Sequence, residues 1–106
     1  MTDKEIIHTY GELYGRLSYY VPVWSNPVRF ATSCSSPIKG FTGLYKQALS
    51  KRVFTPELED YVAERLNKID INDLPQEPIP NELQSVFVLG YYKGQKYSAD
   101  LKNKKD

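Results

Sequence analysis

Six cations in this chain could neutralise phosphate: Lys39, Lys46, Lys51, Arg52, Lys93 and Lys96. Lysine or arginine on a rigid helix face grips a polyanion through its backbone charge and releases counterions, without reading bases. The charge distribution along the chain supports this chemistry. From Leu13 to Pro56 there is no acid, and Arg16, Arg29, Lys39, Lys46, Lys51 and Arg52 contribute +6. From Glu57 to Glu82 eight acids oppose Arg65 and Lys68, giving −6. Residues 1–12 carry −2 and the residues after Glu82 carry +3, so a net charge of +1 conceals a two-signed molecule. A basic face suits a polyanion, and an acidic face suits a basic protein neighbour. The plain alternative is a solvated surface whose charges cluster only along the chain.

Other chemistries find little footing. His8 and Cys34 form the single conceivable dyad, with no third orienting group and no oxyanion motif, so the sequence predicts no enzyme. Cys34 reads more simply as a small buried residue. One histidine and one cysteine do not build a zinc site, and no cofactor motif is present. Nine tyrosines could stack on unpaired bases. Tyr10, Tyr14, Tyr45, Tyr61 and Tyr91, however, fall on apolar helix faces and are expected in the core. Tyr19, Tyr20 and Tyr92 have no such assignment, and Trp24 is either a lid on the core or a contact with a neighbour.

These side chains need helices to hold them. At 106 residues the chain is sized for one domain with one core. Ile6, Tyr10, Leu13, Tyr14, Leu17 and Val21 recur at helical spacing, with Glu5, His8, Glu12 and Arg16 mostly elsewhere. Asp3 is placed to cap this helix, Pro22 to end it, and Glu12 with Arg16 to form an i, i+4 pair. Gly11 and Gly15 inside it point to a second backbone close by, or to a locally weak helix. Asn26-Pro27 opens a short helix to about Cys34, and Ser35-Ser36-Pro37 opens another. There Ile38, Phe41, Tyr45, Ala48 and Leu49 make the apolar face, opposite Lys39, Gly43, Lys46 and Ser50.

Thr55-Pro56-Glu57 starts the next helix, with Leu58, Tyr61, Val62, Leu66 and Ile69 inward and Glu57, Asp60, Glu64 and Asn67 outward. INDLPQEPIP, with three prolines, is a loop. Asn81, Glu82 and Gln84 resemble a capping box for the last element, QSVFVLGYYKGQKY. Its residues favour a strand, but no second strand-like run exists to pair with it, so helix is predicted. The expected fold is all-α: a single compact bundle of four to five helices over residues 1–100, with 101–106 a frayed basic tail. No apolar run reaches the ~20 residues that span a bilayer. MTDKEII does not read as a signal peptide, and the lone cysteine fits a reducing, cytoplasmic setting.

Gln84-Ser85-Val86-Phe87-Val88-Leu89-Gly90-Tyr91-Tyr92 resembles the Gln-x-x-Phe-x-Leu-Gly-Tyr-Tyr signature that ends the large subunit of type I-C CRISPR effector (Cascade) complexes. Phe30-x-x-Ser33-Cys34-x-x-Pro37-x-x-x-Phe41 and Gly15-Arg16-Leu17 are similar to further motifs of that family, in the same order. After Gly-Tyr-Tyr this chain has Lys93-Gly94-Gln95-Lys96 where the family continues His-Gln-Arg, and Ser33-Cys34 where it has Ala-Ser. The resemblance implies a separately made small subunit: a non-catalytic bundle along the belly of an RNA-guided DNA surveillance complex. It would contact backbone and large subunits and support the guide–target R-loop through phosphates, with base pairing supplying specificity. A mobile-element copy that docks in the same slot and inhibits the complex is a second reading. An unrelated helical interaction module is a third.

Overall fold

The computed structural model describes residues 1–21 and 27–105, which form α1 (Asp3–Ser18), α2 (Pro27–Ser35), α3 (Pro37–Ser50), α4 (Pro56–Asn67) and α5 (Asn81–Lys105), with one 3-10 turn at Ile71–Asp73. No strand occurs among the described residues, and the fold is an all-α bundle. Pro22, Trp24 and the Asn26 cap lie outside the described residues.

α1 is the central rod. Its apolar stripe Ile6, Leu13, Tyr14 and Leu17 is wholly buried, and α3, α4 and α5 all pack on it. The helix starts one residue earlier than Asp3 suggests: Thr2 is the cap, in a reciprocal box with Glu5. A threonine hydroxyl accepting from the third helical N–H, with the glutamate reaching back, satisfies two orphan donors together.

α5 lies along α1 in the same direction, because Gly11 meets Phe87 and Gly90 while Gly15 meets Tyr91 and Gln95 further on. The contact is made by four glycines. A Cβ on Gly11 or Gly15 would strike the carbonyl oxygen of Phe87 or Tyr91, and one on Gly90 or Gly94 that of His8 or Glu12. Two Gly-x-x-x-Gly faces thus bring the two backbones into direct contact, as small residues do wherever helices cross closely. The 25 residues of α5 run about 37 Å, matching the 39 Å long dimension of the molecule. The basic residues 101–105, expected as a frayed tail, continue this helix.

The core closes with Tyr14 against Phe30, Phe87 and Tyr91, and with Phe41 against Tyr10 and Tyr45. On α3 the buried face includes Leu44, whereas Leu49, expected inside, is half exposed. Leu49 sits beyond the edge of the stripe that α1 and α2 cover.

The proline-rich loop is tied down. Ile79 inserts into the core, and its N–H donates to the Ser35 carbonyl at 2.8 Å. The Glu77 carboxylate accepts from the backbone N–H groups of Ile38 (2.7 Å) and Lys39 (3.3 Å). Ser36, the residue at the N-cap of α3, makes no side-chain cap, so a carboxylate from the loop does the work instead. At α5 the expected capping box is also replaced: Asn81 is already helical, and the Gln84 amide donates to the Ile79 carbonyl.

Candidate nucleic-acid interface

α3 presents Lys39, Gly43, Lys46 and Ser50 to solvent, as the heptad-like spacing requires. Lys39 and Lys46 are seven residues apart, about 10.5 Å along the axis. That is close to three base-pair rises of about 3.4 Å each along a duplex axis. Nothing lies within 4 Å of the position a Gly43 Cβ would take, so the strip between the lysines is open.

Two further cations follow at the helix end. Lys51 is the C-cap, and its N–H donates to the carbonyls of Gln47 and Leu49. Arg52 follows at φ 56°, a left-handed conformation that a side-chain-bearing residue adopts at a cost. Its N–H donates to Leu49 O (3.1 Å) and that of Val53 to Ala48 O (3.2 Å), the two bonds of a Schellman motif. Glycine is the usual occupant of this position, and here it is an exposed arginine.

The other two candidates lie one turn apart on α5 and are both exposed. Lys93 Nζ is 3.4 Å from Glu12 Oε1, so that cation already has a protein partner. The structure therefore groups Lys39, Lys46, Lys51 and Arg52 on α3 and its terminal turn, and Lys93 and Lys96 on a separate helix. Both helices are laid against α1.

Glu12 departs most from the sequence reading. It is buried and does not pair with Arg16. Its Oε1 meets His8 Nδ1 at 3.0 Å, and its Oε2 meets Arg65 Nη1 at 3.0 Å. With Lys93 this ties α1, α4 and α5 together at one carboxylate. Arg16 is also buried, 4% exposed, and lies against the stacked pair of rings Tyr61 and Tyr97, whose centres are 5.4 Å apart. The sequence assigned both residues away from the apolar stripe. α1 is surrounded, so its polar side is inside as well, where Glu12 meets Arg65 from α4 and Lys93 from α5, and Arg16 donates to Ser98 from α5.

His8 is thus engaged with Glu12, and Cys34 is buried with its thiol pushed up by burial. Tyr10, Tyr14 and Tyr91 are core residues, and Tyr45 and Tyr61 pack against the core from its edge. Burial pushes the phenols of Tyr10, Tyr14, Tyr61 and Tyr91 above their ordinary range.

The signature-like stretch of α5 divides by face. Phe87, Gly90 and Tyr91 pack on α1, and Gln84 ties the preceding loop. Leu89 and Tyr92 point outward at 66% and 63% exposure, beside Lys93 and Lys96. Among the described residues no group of histidine, cysteine, aspartate and glutamate could hold a metal, and no helix is long and apolar enough to cross a membrane. Searches of family models, curated proteins and solved structures return no match to this chain.

Proposed function

We propose that this protein is a non-catalytic binding component that lays the outer face of α3 along a nucleic-acid backbone, as the small subunit of a type I-C-like CRISPR surveillance complex would. The observation that carries the reading is the α3 surface: Lys39 and Lys46 two turns apart across an open glycine, with the exposed Lys51 and Arg52 at the helix end. That surface belongs to the stretch from Leu13 to Pro56, which contains no acid of its own, and the loop carboxylate of Glu77 meets it only at the backbone of its N-terminal end. Phosphate contacts of this kind position a protein and carry no sequence information, which suits a partner read by base pairing. The outward strip of Leu89 and Tyr92 is the part of α5 left to meet neighbouring subunits.

The test is salt-dependent binding to unstructured single- and double-stranded DNA, followed by fluorescence anisotropy between about 50 and 200 mM salt. Lys39→Glu with Lys46→Glu should weaken binding equally across sequences. The log–log salt slope should flatten by about one per lysine. An unchanged slope in the double variant refutes the α3 assignment. Addition of the protein to an effector complex lacking its small subunit then separates the roles: restored target binding marks a working subunit, and suppressed interference marks an inhibitor.

A further inference from the structure

A cavity of about 610 Å³ opens between the C-terminal end of α1, the start of α4 and the last turns of α5. Its walls are aromatic: Tyr19, Tyr20, Tyr61 and Tyr97. Arg16 lines it as well, and that residue is the unusual one. Its guanidinium carbon is 4.9 Å from the Tyr61 ring centre and 4.7 Å from that of Tyr97. Its Nη1 donates to Ser98 Oγ at 2.7 Å and reaches Tyr20 Oη at 3.5 Å. Its Nε is buried and donates to nothing.

A buried arginine is ordinarily paired with a carboxylate, because desolvating an isolated charge is costly. Among the described residues Arg16 has no such partner. The acid one turn earlier on α1, Glu12, is committed to His8, Arg65 and Lys93. Tyrosine faces and two neutral hydroxyls soften the charge without neutralising it. Among the described residues that counter-charge is missing beside a ligand-sized hollow.

We propose that this cavity is a binding site for a small aromatic carboxylate, with the carboxylate on Arg16 and the ring against the tyrosine walls. A singly charged, planar ligand fits better than phosphate. The lining is largely aromatic and aliphatic, and the charged residues Glu57 and Lys102, which also line it, are of opposite sign. A dianion would enter with most of its charge unmatched. The site is independent of the α3 surface, so either assignment can fail alone.

Titration of the wild-type protein with benzoate and with indole-3-acetate, read by calorimetry and tyrosine fluorescence, should give saturable one-to-one binding. Benzamide, the neutral counterpart of benzoate, and inorganic phosphate should each bind at least about tenfold more weakly. Arg16→Lys, which keeps the charge but loses the planar fork, should weaken benzoate by about tenfold or more. Leu101→Trp fills the hollow from its edge without touching Arg16, and should abolish binding while circular dichroism stays native. If Arg16→Lys fails to fold, Leu101→Trp and Tyr20→Ala decide the matter. Absence of saturable binding in wild type, equal binding of benzamide, or full binding by Leu101→Trp would each overturn the proposal.

Discussion

Alanine at Gly94 and alanine at Gly43 should act in opposite directions on stability. Both residues are interior to helices, so each substitution gains about 1 kcal/mol of helix propensity. At Gly43 nothing opposes that gain, because the added methyl meets no atom within 4 Å. At Gly94 the methyl would collide with the Glu12 carbonyl oxygen and stand 2.8 Å from the Arg16 backbone nitrogen. Backbone cannot rotate aside as a side-chain tip can, so α1 and α5 must part, opening a seam along the main contact of the fold. Overpacking of this kind costs about 3 kcal/mol. The net loss is about 2 kcal/mol, against a gain of about 0.5–1 kcal/mol at Gly43. In urea, with a slope of about 1.5 kcal/mol per molar, the Gly94→Ala midpoint should fall by about 1.3 M. The Gly43→Ala midpoint should rise by roughly 0.5 M. The assay is equilibrium unfolding followed by far-UV circular dichroism. A Gly94→Ala protein as stable as wild type would refute the direct apposition of the two helix backbones.

Arg52→Gly should stabilise the protein by about 1 kcal/mol, because the left-handed turn at φ 56° suits glycine, yet it should weaken DNA binding; unfolding and anisotropy on one variant check both. A variant that gains stability and binds DNA unchanged would remove Arg52 from the interface. Glu77→Ala leaves the Ile38 and Lys39 N–H groups uncapped and should cost about 1–2 kcal/mol, measured by the same unfolding assay, while Ser36→Ala should cost almost nothing. The buried phenols of Tyr10, Tyr14, Tyr61 and Tyr91 have raised pKa values in the fold. The stability they contribute is therefore complete below the unfolded tyrosine pKa of about 10 and is lost as pH rises through their folded values. Phenolate absorbance should show these four phenols ionising above the ordinary tyrosine range.

The bundle was legible because its helix starts follow simple chemistry. Thr55 caps α4 as its position before Pro56 indicates, with the Leu58 N–H donating to its hydroxyl at 3.2 Å. α2 and α3 start at Pro27 and Pro37, as a proline at the first helical position requires. The exposed faces of α3 and α4 were legible for the same reason, since one side of each is plainly polar. α1 misled at Glu12 and Arg16. The periodicity of a stripe identifies the buried side of a surface helix, but a central helix is buried all round. Its polar positions then depend on what distant elements supply, such as Arg65 from α4 and Ser98 from α5. Neither partner lies near in sequence. Glu77 was missed likewise: a loop carboxylate thirty-nine residues beyond Ile38 gives no local sign that it caps that helix. The glycines did leave a signal. Gly11-x-x-x-Gly15 and Gly90-x-x-x-Gly94 share one spacing, and matching spacings are what two closely crossing helices need.

That pairing explains why the aromatic, glycine-containing stretch of α5 need not touch an outside partner with the same residues that shape it. Phe87, Gly90, Tyr91 and Gly94 turn inward and fix the helix against α1. Whatever α5 presents to a neighbour must come from the opposite side, from Leu89, Tyr92, Lys93 and Lys96. Two of those four are large and apolar, and Lys93 shares its charge with Glu12, so this side is better suited to a protein surface than to phosphate. α3 is the reverse case. Its outward residues include Lys39, Gly43, Lys46 and Ser50 beside Thr42 and the half-exposed Leu49, its positive N-terminal end is already occupied by Glu77, and its side chains rather than its dipole must carry any contact with an anion.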